Sequence, residues 1–338
     1  MQAVKFEDII LFSESILFVD VRSPSEFARG HIPGAHNIPL FSDQIRALVG
    51  TIYVQQGREQ AMHVAMQHVG SQFDDLVMQV KKIFTSGRIC VYCARGGMRS
   101  KSVTWLYNLF GLPVIQLAGG YKSYRNWVIA QFKQKLILRV LGGSTGSGKT
   151  EYLYRLIQMG EQVLDLEKYA QHKGSVFGGD KDAQATQQQF ENDCACDIVK
   201  LKTEKSVWIE DESRKIGSVI IPEALWLQMR QASFYYLIAR RYDRIERILR
   251  EYGTLDKNFL LRALAEIKDH LGLQNYAHVW MLIEQNNIRE AFEILLDYYD
   301  KKYLYGCENK NWVGALVAPV CLLHQKALNK WHQVAVQN

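Results

Sequence analysis

The chain has 338 residues, of which 48% are hydrophobic and 22% charged, with a formal net charge of +6. That length exceeds one ordinary core and the composition is that of a globular protein, so two domains are expected. No run approaches the roughly 18 apolar residues of a membrane-spanning helix. The N-terminus carries acidic residues where a signal peptide needs a basic start, so the chain is expected in the cytoplasm with no membrane partner.

Cys90, Cys93, Cys194, Cys196, Cys307 and Cys321 are scattered rather than packed into a small scaffold, which points to free thiols in a reducing compartment. The mild positive charge permits a nucleic-acid partner without demanding one.

In chain order, residues 16–22 read as a buried strand ending in charge. Ser23 then caps a short helix, with Pro24 at its first position and Glu26 closing a capping box. Residues 30–36 are turn chemistry, followed by the strand-like Asn-Ile-Pro-Leu, and 58–84 read as one long amphipathic helical stretch. A second apolar strand covers 88–93, a helix covers 99–110 and stops at Gly111, and a short strand covers 114–117. Residues 121–135 read as a helix and linker. A new unit begins with the strand from Leu136, followed by a helix over 149–159 and strands near 162–167, 206–211 and 234–238. From about 241 to the end the pattern is helical. Strands alternating with helices predict an α/β fold, a parallel sheet in each of two units. The expected division is 1–128 for the first unit, 129–135 for a linker, 136–240 for the second α/β unit and 241–338 for a helical C-terminal region.

Residues 143–150, Gly-Ser-Thr-Gly-Ser-Gly-Lys-Thr, form a complete phosphate-binding loop between a strand and a helix. Backbone N–H groups of such a turn converge on phosphate oxygens. Gly143, Gly146 and Gly148 permit the turn, Ser147 lies within it, Lys149 reaches the terminal phosphate, and the Thr150 hydroxyl is placed for Mg²⁺ if a metal is used. Glu210 and Asp211, ending a strand, are where a carboxylate for Mg²⁺ or a metal-bound diphosphate would sit, or else are a solvated strand end. Asp165 and Glu167 carry a weaker version of that argument.

Cys93-Ala-Arg-Gly-Gly-Met-Arg99 is a second loop of another kind. A strand-to-helix turn aims backbone amides at the Cys93 sulfur, and Arg95 and Arg99 add positive charge, which is what a nucleophilic thiolate needs. Cys90 and Cys93 do not read as half a zinc site, because there is no second Cys-x-x-Cys and Cys90 should face the other side of its strand. The loop also has the Cys-x5-Arg spacing that wraps a tetrahedral anion. Against a phosphatase, Tyr92 stands where histidine is usual, and Ser100 is read as one place late to serve a leaving group.

Asp20-Val-Arg-Ser-Pro-Ser-Glu-Phe, Gly30-His-Ile-Pro-Gly-Ala and the Cys93 loop together resemble a rhodanese domain, with His31 and His36 structural. A rhodanese domain ahead of a phosphate-loop domain resembles the tRNA 2-selenouridine synthase family. Further blocks carry that likeness: Ala118-Gly-Gly-Tyr-Lys-Ser-Tyr-Arg, Asp165-Leu-Glu, His172-Lys-Gly-Ser-Val-Phe-Gly and Glu210-Asp-Glu-Ser-Arg-Lys-Ile-Gly. The resemblance implies an enzyme acting on the wobble uridine of tRNAs for Lys, Glu and Gln. It implies two steps, S-geranylation of 2-thiouridine with geranyl diphosphate, then replacement by selenium from selenophosphate. Cys93 matches the selenium-carrying cysteine. No tightly bound cofactor is implied; selenophosphate and geranyl diphosphate enter as substrates, with Mg²⁺ an open requirement. The loop motif alone leaves nucleotide and geranyl diphosphate open as ligands.

Arg240, Arg244 and Arg247 fall on one face of a predicted helix. They could track tRNA phosphates, line a solvated face partly neutralised by Asp243, Glu246 and Glu251, or close as a lid over the phosphate loop. Trp280, Tyr298, Tyr299 and Trp312 could stack a flipped base or simply be core. Two other functions compete with tRNA modification. One is a rhodanese-type sulfurtransferase with a nucleotide-dependent regulatory domain. The other is a non-enzymatic binding module on a nucleotide switch, which the intact Cys93 with both arginines disfavours.

Overall fold

A computed structural model describes residues 3–173, 184–307 and 311–317. The chain divides into two compact units, Met1–Phe132 with Thr186–Cys196, and Lys133–Ala185 with Asp197–Asn338.

The first unit is a five-stranded sheet built from β1 (Ala3–Val4), β2 (Ile16–Asp20), β3 (His36–Asn37), β4 (Arg88–Tyr92) and β5 (Val114–Leu117), in the order β1-β5-β4-β2-β3. Every pairing is parallel. Val19, Ile89 and Val91 are fully buried and pack with Val103, Leu106 and Tyr107 of the helix Met98–Leu109. A parallel strand covered on both faces reads as a continuous apolar run, which is why β4 was visible in the sequence. The Ser23 helix forms as expected, Pro24–Arg29, with the Glu26 carboxylate accepting from the Ser23 N–H at 3.2 Å.

The predicted single stretch over 58–84 is instead two helices, Arg58–Val69 and Phe73–Ile83, joined by a short 3₁₀ turn that starts at Gly70. Glycine is the weakest helix former after proline, and the break falls there. A helix over Asp43–Gln55, capped by the Ser42 hydroxyl, was not anticipated.

The expected linker 129–135 is helical up to Gln131, because the helix Gly120–Gln131 continues into it. Residues 186–196, expected in the second unit, belong to the first. The reason is a polar clasp. Asn192, fully buried, donates to the Tyr121 hydroxyl at 2.9 Å and to the His31 carbonyl at 2.8 Å. Arg125 pairs with Glu191, and Thr186 donates to the Arg29 carbonyl at 2.6 Å.

The second unit is a parallel sheet of β6 (Ile137–Gly142), β7 (Gln162–Leu164), β8 (Ser206–Glu210), β11 (Ser233–Ile238) and β12 (Asn311–Val317), ordered β12-β11-β6-β8-β7. A small antiparallel hairpin, β9 (Lys215–Ile216) with β10 (Val219–Ile220), stands apart from it. The phosphate-loop strand β6 is therefore central. The C-terminal region is not helical throughout, since β12 returns to extend the sheet beyond β11. The helices between Arg241 and Cys307 close over their own core of Ile245, Ile248, Leu264, Val279, Leu282 and Leu295. No described helix is long and apolar enough to cross a membrane.

Candidate functional site

In the first unit, β4 ends at Tyr92 and delivers Cys93 into a loop that closes on the helix starting at Met98. The loop is clamped from behind. Tyr121 N–H donates to the Cys93 carbonyl at 2.8 Å, and Lys122 N–H to the Ala94 carbonyl at 2.9 Å. Gly120, at φ +60°, makes the closest approach: a Cβ there would stand 2.3 Å from the Cys93 carbonyl oxygen and 2.4 Å from the Gly96 nitrogen. Only glycine fits that left-handed position against backbone.

Cys93 is buried, with its Sγ 3.1 Å from the Ser100 hydroxyl. Gln116 of β5 donates to Ser100 at 2.8 Å and to the Gly96 carbonyl at 2.9 Å. The sequence reading set Ser100 aside as one place late. It directly follows Arg99, and one turn of helix brings its hydroxyl to the sulfur. Gln116 was missed as well; a glutamine inside an otherwise apolar strand was the available signal.

The two arginines differ. Arg95 is exposed, whereas Arg99 is held by Glu26 at 2.6 Å. The Glu26 carboxyl is lowered from its ordinary value: burial opposes ionisation, but the hydrogen bond and charge of Arg99 outweigh it. Tyr92 is fully buried and accepts from the Ile32 N–H, with burial pushing its hydroxyl well above the usual range. Cys90, also buried, has its thiol pushed up by burial and takes no part in the loop.

In the second unit, the phosphate loop leaves β6 at Gly143 (φ +157°) and turns through Gly146 and Gly148, both in the left-handed region, into the helix Lys149–Gln158. The Ser147 hydroxyl is buried and, among the described residues, has no hydrogen-bond partner. Lys149 Nζ reaches the Gly143 carbonyl at 3.2 Å and Glu210 at 3.5 Å. Burial opposes its charge, yet Glu210, Glu212, Glu167 and Asp211 together raise its pKa above the usual lysine value. Beside the loop is a small recess lined by Glu151, Tyr152, Arg155, Leu237 and Arg247.

Glu167, Glu210 and Glu212 bring carboxylate oxygens within 4.8 Å of one another. The Thr150 hydroxyl donates to Glu167 at 3.3 Å. Burial and the neighbouring carboxylates push Glu167 up to about 9 and Glu212 up to about 8. Glu210 is 2% exposed, and its Oε2 has no partner among the described residues. Of the expected pair, Glu210 is in this cluster, and Asp211 is turned elsewhere. Asp211 accepts from the Tyr303 hydroxyl at 2.7 Å, and the Tyr303 oxygen in turn accepts from the Gly143 N–H at 2.9 Å. Asp165 is the N-cap of the helix Leu166–Ala170, accepting from Lys168 N–H, and is not one of the three clustered carboxylates. Oxygen donors of this kind, carboxylates with a hydroxyl, suit a hard divalent cation such as Mg²⁺.

The family model for the tRNA 2-selenouridine synthase AAA domain matches residues 136–318, and that for the rhodanese-like domain matches residues 5–126. The chain belongs to the tRNA 2-selenouridine synthase family. Among curated relatives of that name, the protein of Pseudomonas putida strain GB-1 is 33% identical, with 87% of this chain and 89% of the relative covered. That of Pseudomonas putida strain W619 is 37% identical, covering 89% and 91%. That of Cupriavidus pinatubonensis is 32% identical, with the same coverage.

Within this family member, the arginine stripe is not the solvent-facing track that tRNA contact would need. Arg244 is buried, donates to the Thr145 carbonyl at 2.9 Å and pairs with Asp300. Arg247 donates to the Gly146 carbonyl and pairs with Glu151. Both hold carbonyls of the phosphate loop, and of the three only Arg240 is exposed. Tyr298 and Tyr299 pack on the helical core, and Trp280 sits beside Tyr276. The Trp312 side chain and residues 174–178 of the His172 block lie outside the described residues. Cys194 is buried and the Cys196 sulfur lies 3.6 Å from the Tyr124 hydroxyl, and the only candidate metal cluster among the described residues is the glutamate one.

Proposed function

We propose that this chain converts 2-thiouridine at the wobble position of tRNAs for Lys, Glu and Gln to 2-selenouridine, in two steps served by its two loops. In the first, the phosphate loop holds geranyl diphosphate. The 2-thio sulfur attacks the allylic carbon, the carbon–oxygen bond to diphosphate breaks, and an S-geranyl nucleoside forms. In the second, the selenium of selenophosphate adds to C2 of the S-geranyl base and geranylthiol departs. The Cys93 thiolate then attacks phosphorus, the selenium–phosphorus bond breaks to leave the selenouridine, and water releases phosphate from the cysteine sulfur. The order is a chemical requirement: a thiocarbonyl is a poor leaving group, and alkylation turns it into a thiol that can depart.

The observation that carries this reading is a pairing within one chain. A buried thiol in a clamped ring accompanies a phosphate loop whose buried Ser147 hydroxyl lacks a partner and whose Lys149 stands among carboxylates. Lys149, the Ser147 hydroxyl and the loop amides would offset the charge of the departing diphosphate. Glu167, Glu210 and Glu212 with Thr150 would hold Mg²⁺, which supplies further neutralisation of that charge when bound.

The test is mass analysis of bulk tRNA from a strain lacking the gene. Loss of both 2-selenouridine and S-geranyl-2-thiouridine is expected, and unchanged tRNA overturns the reading. With complementing variants, Cys93→Ser should abolish selenation while S-geranylated tRNA persists, and Lys149→Ala should impair geranylation. Selenation by Cys93→Ser would remove the thiol from the mechanism, and rapid tRNA-stimulated ATP hydrolysis would favour a nucleotide in the phosphate loop.

A further inference from the structure

We infer that Ser100, polarised by Gln116, is a two-position hydrogen-bond switch that follows the charge on the Cys93 sulfur and makes its anionic form reactive. This rests on the reading of Cys93 as the reacting thiol.

The argument is a count of hydrogens. A serine hydroxyl has one proton to donate and two lone pairs, and a primary amide nitrogen has two protons and accepts nothing. Gln116 spends one proton on the Gly96 carbonyl, 2.9 Å away, and the other on Ser100 Oγ, 2.8 Å away. That occupies one lone pair of Ser100 permanently. Two neighbours remain for the hydroxyl: Cys93 Sγ at 3.1 Å and the Gly97 carbonyl at 3.2 Å. When Cys93 is a thiol, its proton is donated to the free lone pair of Ser100, and the Ser100 proton goes to Gly97. When the sulfur is an anion, it can only accept. The hydroxyl then rotates, leaving Gly97 and donating to sulfur.

Burial makes the choice consequential. Ser100 and Gln116 are 0% and 4% exposed and Cys93 is 3% exposed, so water does not readily substitute for a missing partner. The serine is never deprotonated in this scheme; the thiol proton leaves to solvent, and only the hydroxyl orientation changes. Gln116 acts through Ser100 and is a positioning residue, whereas Ser100 touches the reacting atom. The same bond to Gly96 ties the orientation of Gln116 to the loop, so a correctly closed loop and a correctly directed hydroxyl come together.

The test uses the reduced full-length protein and iodoacetamide, with carboxamidomethylation of the Cys93 peptide followed by mass spectrometry from pH 5 to pH 10. Ser100→Ala should move the alkylation profile to higher pH by about one unit or more, seen as roughly ten-fold slower labelling at pH 7 with an unchanged plateau rate. Gln116→Leu should move it in the same direction by less. Ser102→Ala is the control, since that hydroxyl lies on the same helix and binds the Met98 carbonyl instead, so its profile should overlay the wild type.

Unshifted profiles in folded Ser100→Ala and Gln116→Leu overturn the inference. A shift in Ser100→Ala alone overturns the part assigned to Gln116. If Ser100→Ala does not fold, the Gln116→Leu profile decides by itself. The outcome is separate from the proposed function: these profiles require no tRNA, whereas the function stands or falls on the tRNA of the strain lacking the gene.

Discussion

Arg99 donates to the carboxylate of Glu26 at 2.6 Å, a pair formed across 73 positions of sequence. It ties the first turn of the helix Pro24–Arg29 to the helix that follows the Cys93 loop. Glu26 thus serves two roles, accepting from the Ser23 N–H as a capping-box residue and fixing the Arg99 guanidinium. The charge of Arg99 is thereby largely matched by a carboxylate, so the exposed Arg95 is the arginine of the loop left available to an incoming anion.

Glu26→Gln should lower stability at pH 7 by about 1 kcal/mol, the scale of a partly buried charged hydrogen bond. The pH dependence has a definite sign. A carboxyl whose folded value lies below its ordinary 4.5 adds stability above that pH and loses it as pH falls further. Urea unfolding of wild type and variant should therefore differ at pH 7 and converge near pH 3. A difference that persists undiminished at pH 3 would show that the loss is one of packing rather than charge.

Glu167 and Glu212 predict the opposite slope. Their folded values, about 9 and about 8, lie above the ordinary 4.5, because burial and mutual repulsion disfavour ionisation. The folded protein therefore holds protons that the unfolded chain has released, and these groups cost stability as pH rises from about 5 to about 9. Thermal melts of the metal-free protein should fall across that range, and Glu167→Gln or Glu212→Gln should flatten the fall. Millimolar Mg²⁺ should raise the melting temperature more at pH 8.5 than at pH 6.5, because binding must displace protons. A Mg²⁺ effect independent of pH, or one unchanged in Glu167→Gln, would remove the metal from this cluster.

Arg244 and Arg240 separate stability from RNA binding. Arg244→Ala leaves Asp300 and the Thr145 carbonyl without a buried guanidinium, and a loss of about 3 kcal/mol is expected in the second unit. Arg240→Ala removes an exposed cation and should leave the melting temperature within about 1 °C. If Arg240 contacts a phosphate, its variant should bind tRNA more weakly and reduce the slope of log affinity against log salt by about one. Melting temperatures and salt titrations of both variants check this; equal stability losses would contradict the burial of Arg244.

What was legible in the sequence was local. The phosphate loop is a contiguous motif between a strand and a helix, and the Ser23 cap, the Gly111 stop and the buried run of β4 each follow from neighbours in the chain. What was not legible depends on distant partners. Glu167 joins Glu210 and Glu212 across more than forty positions of sequence, a meeting that no local pattern announces. Residues 186–196 join the first unit through Asn192, Arg125 and Thr186, whose partners lie more than sixty positions away. Arg244 could not be told from a surface arginine without Asp300. β12 was missed because a single edge strand after a long helical region carries too short a pattern to outweigh its surroundings.

Gly120 and Gly111 form a matched pair. Both adopt left-handed backbone, at φ +60° and +70°. A methyl group at Gly111 would meet nothing within 4 Å, whereas at Gly120 it would press on the Cys93 carbonyl and the Gly96 nitrogen. Gly111→Ala should therefore cost only the conformational penalty, about 1 kcal/mol. Gly120→Ala adds a clash with backbone that cannot rotate away, so either the start of the helix Gly120–Gln131 or the thiol loop must move. It should cost at least about 2 kcal/mol and slow Cys93 alkylation or make it heterogeneous, while Gly111→Ala keeps the wild-type rate. Denaturant unfolding together with Cys93 labelling distinguishes the two. If Gly120→Ala matched Gly111→Ala in both measurements, the loop would not depend on that close approach.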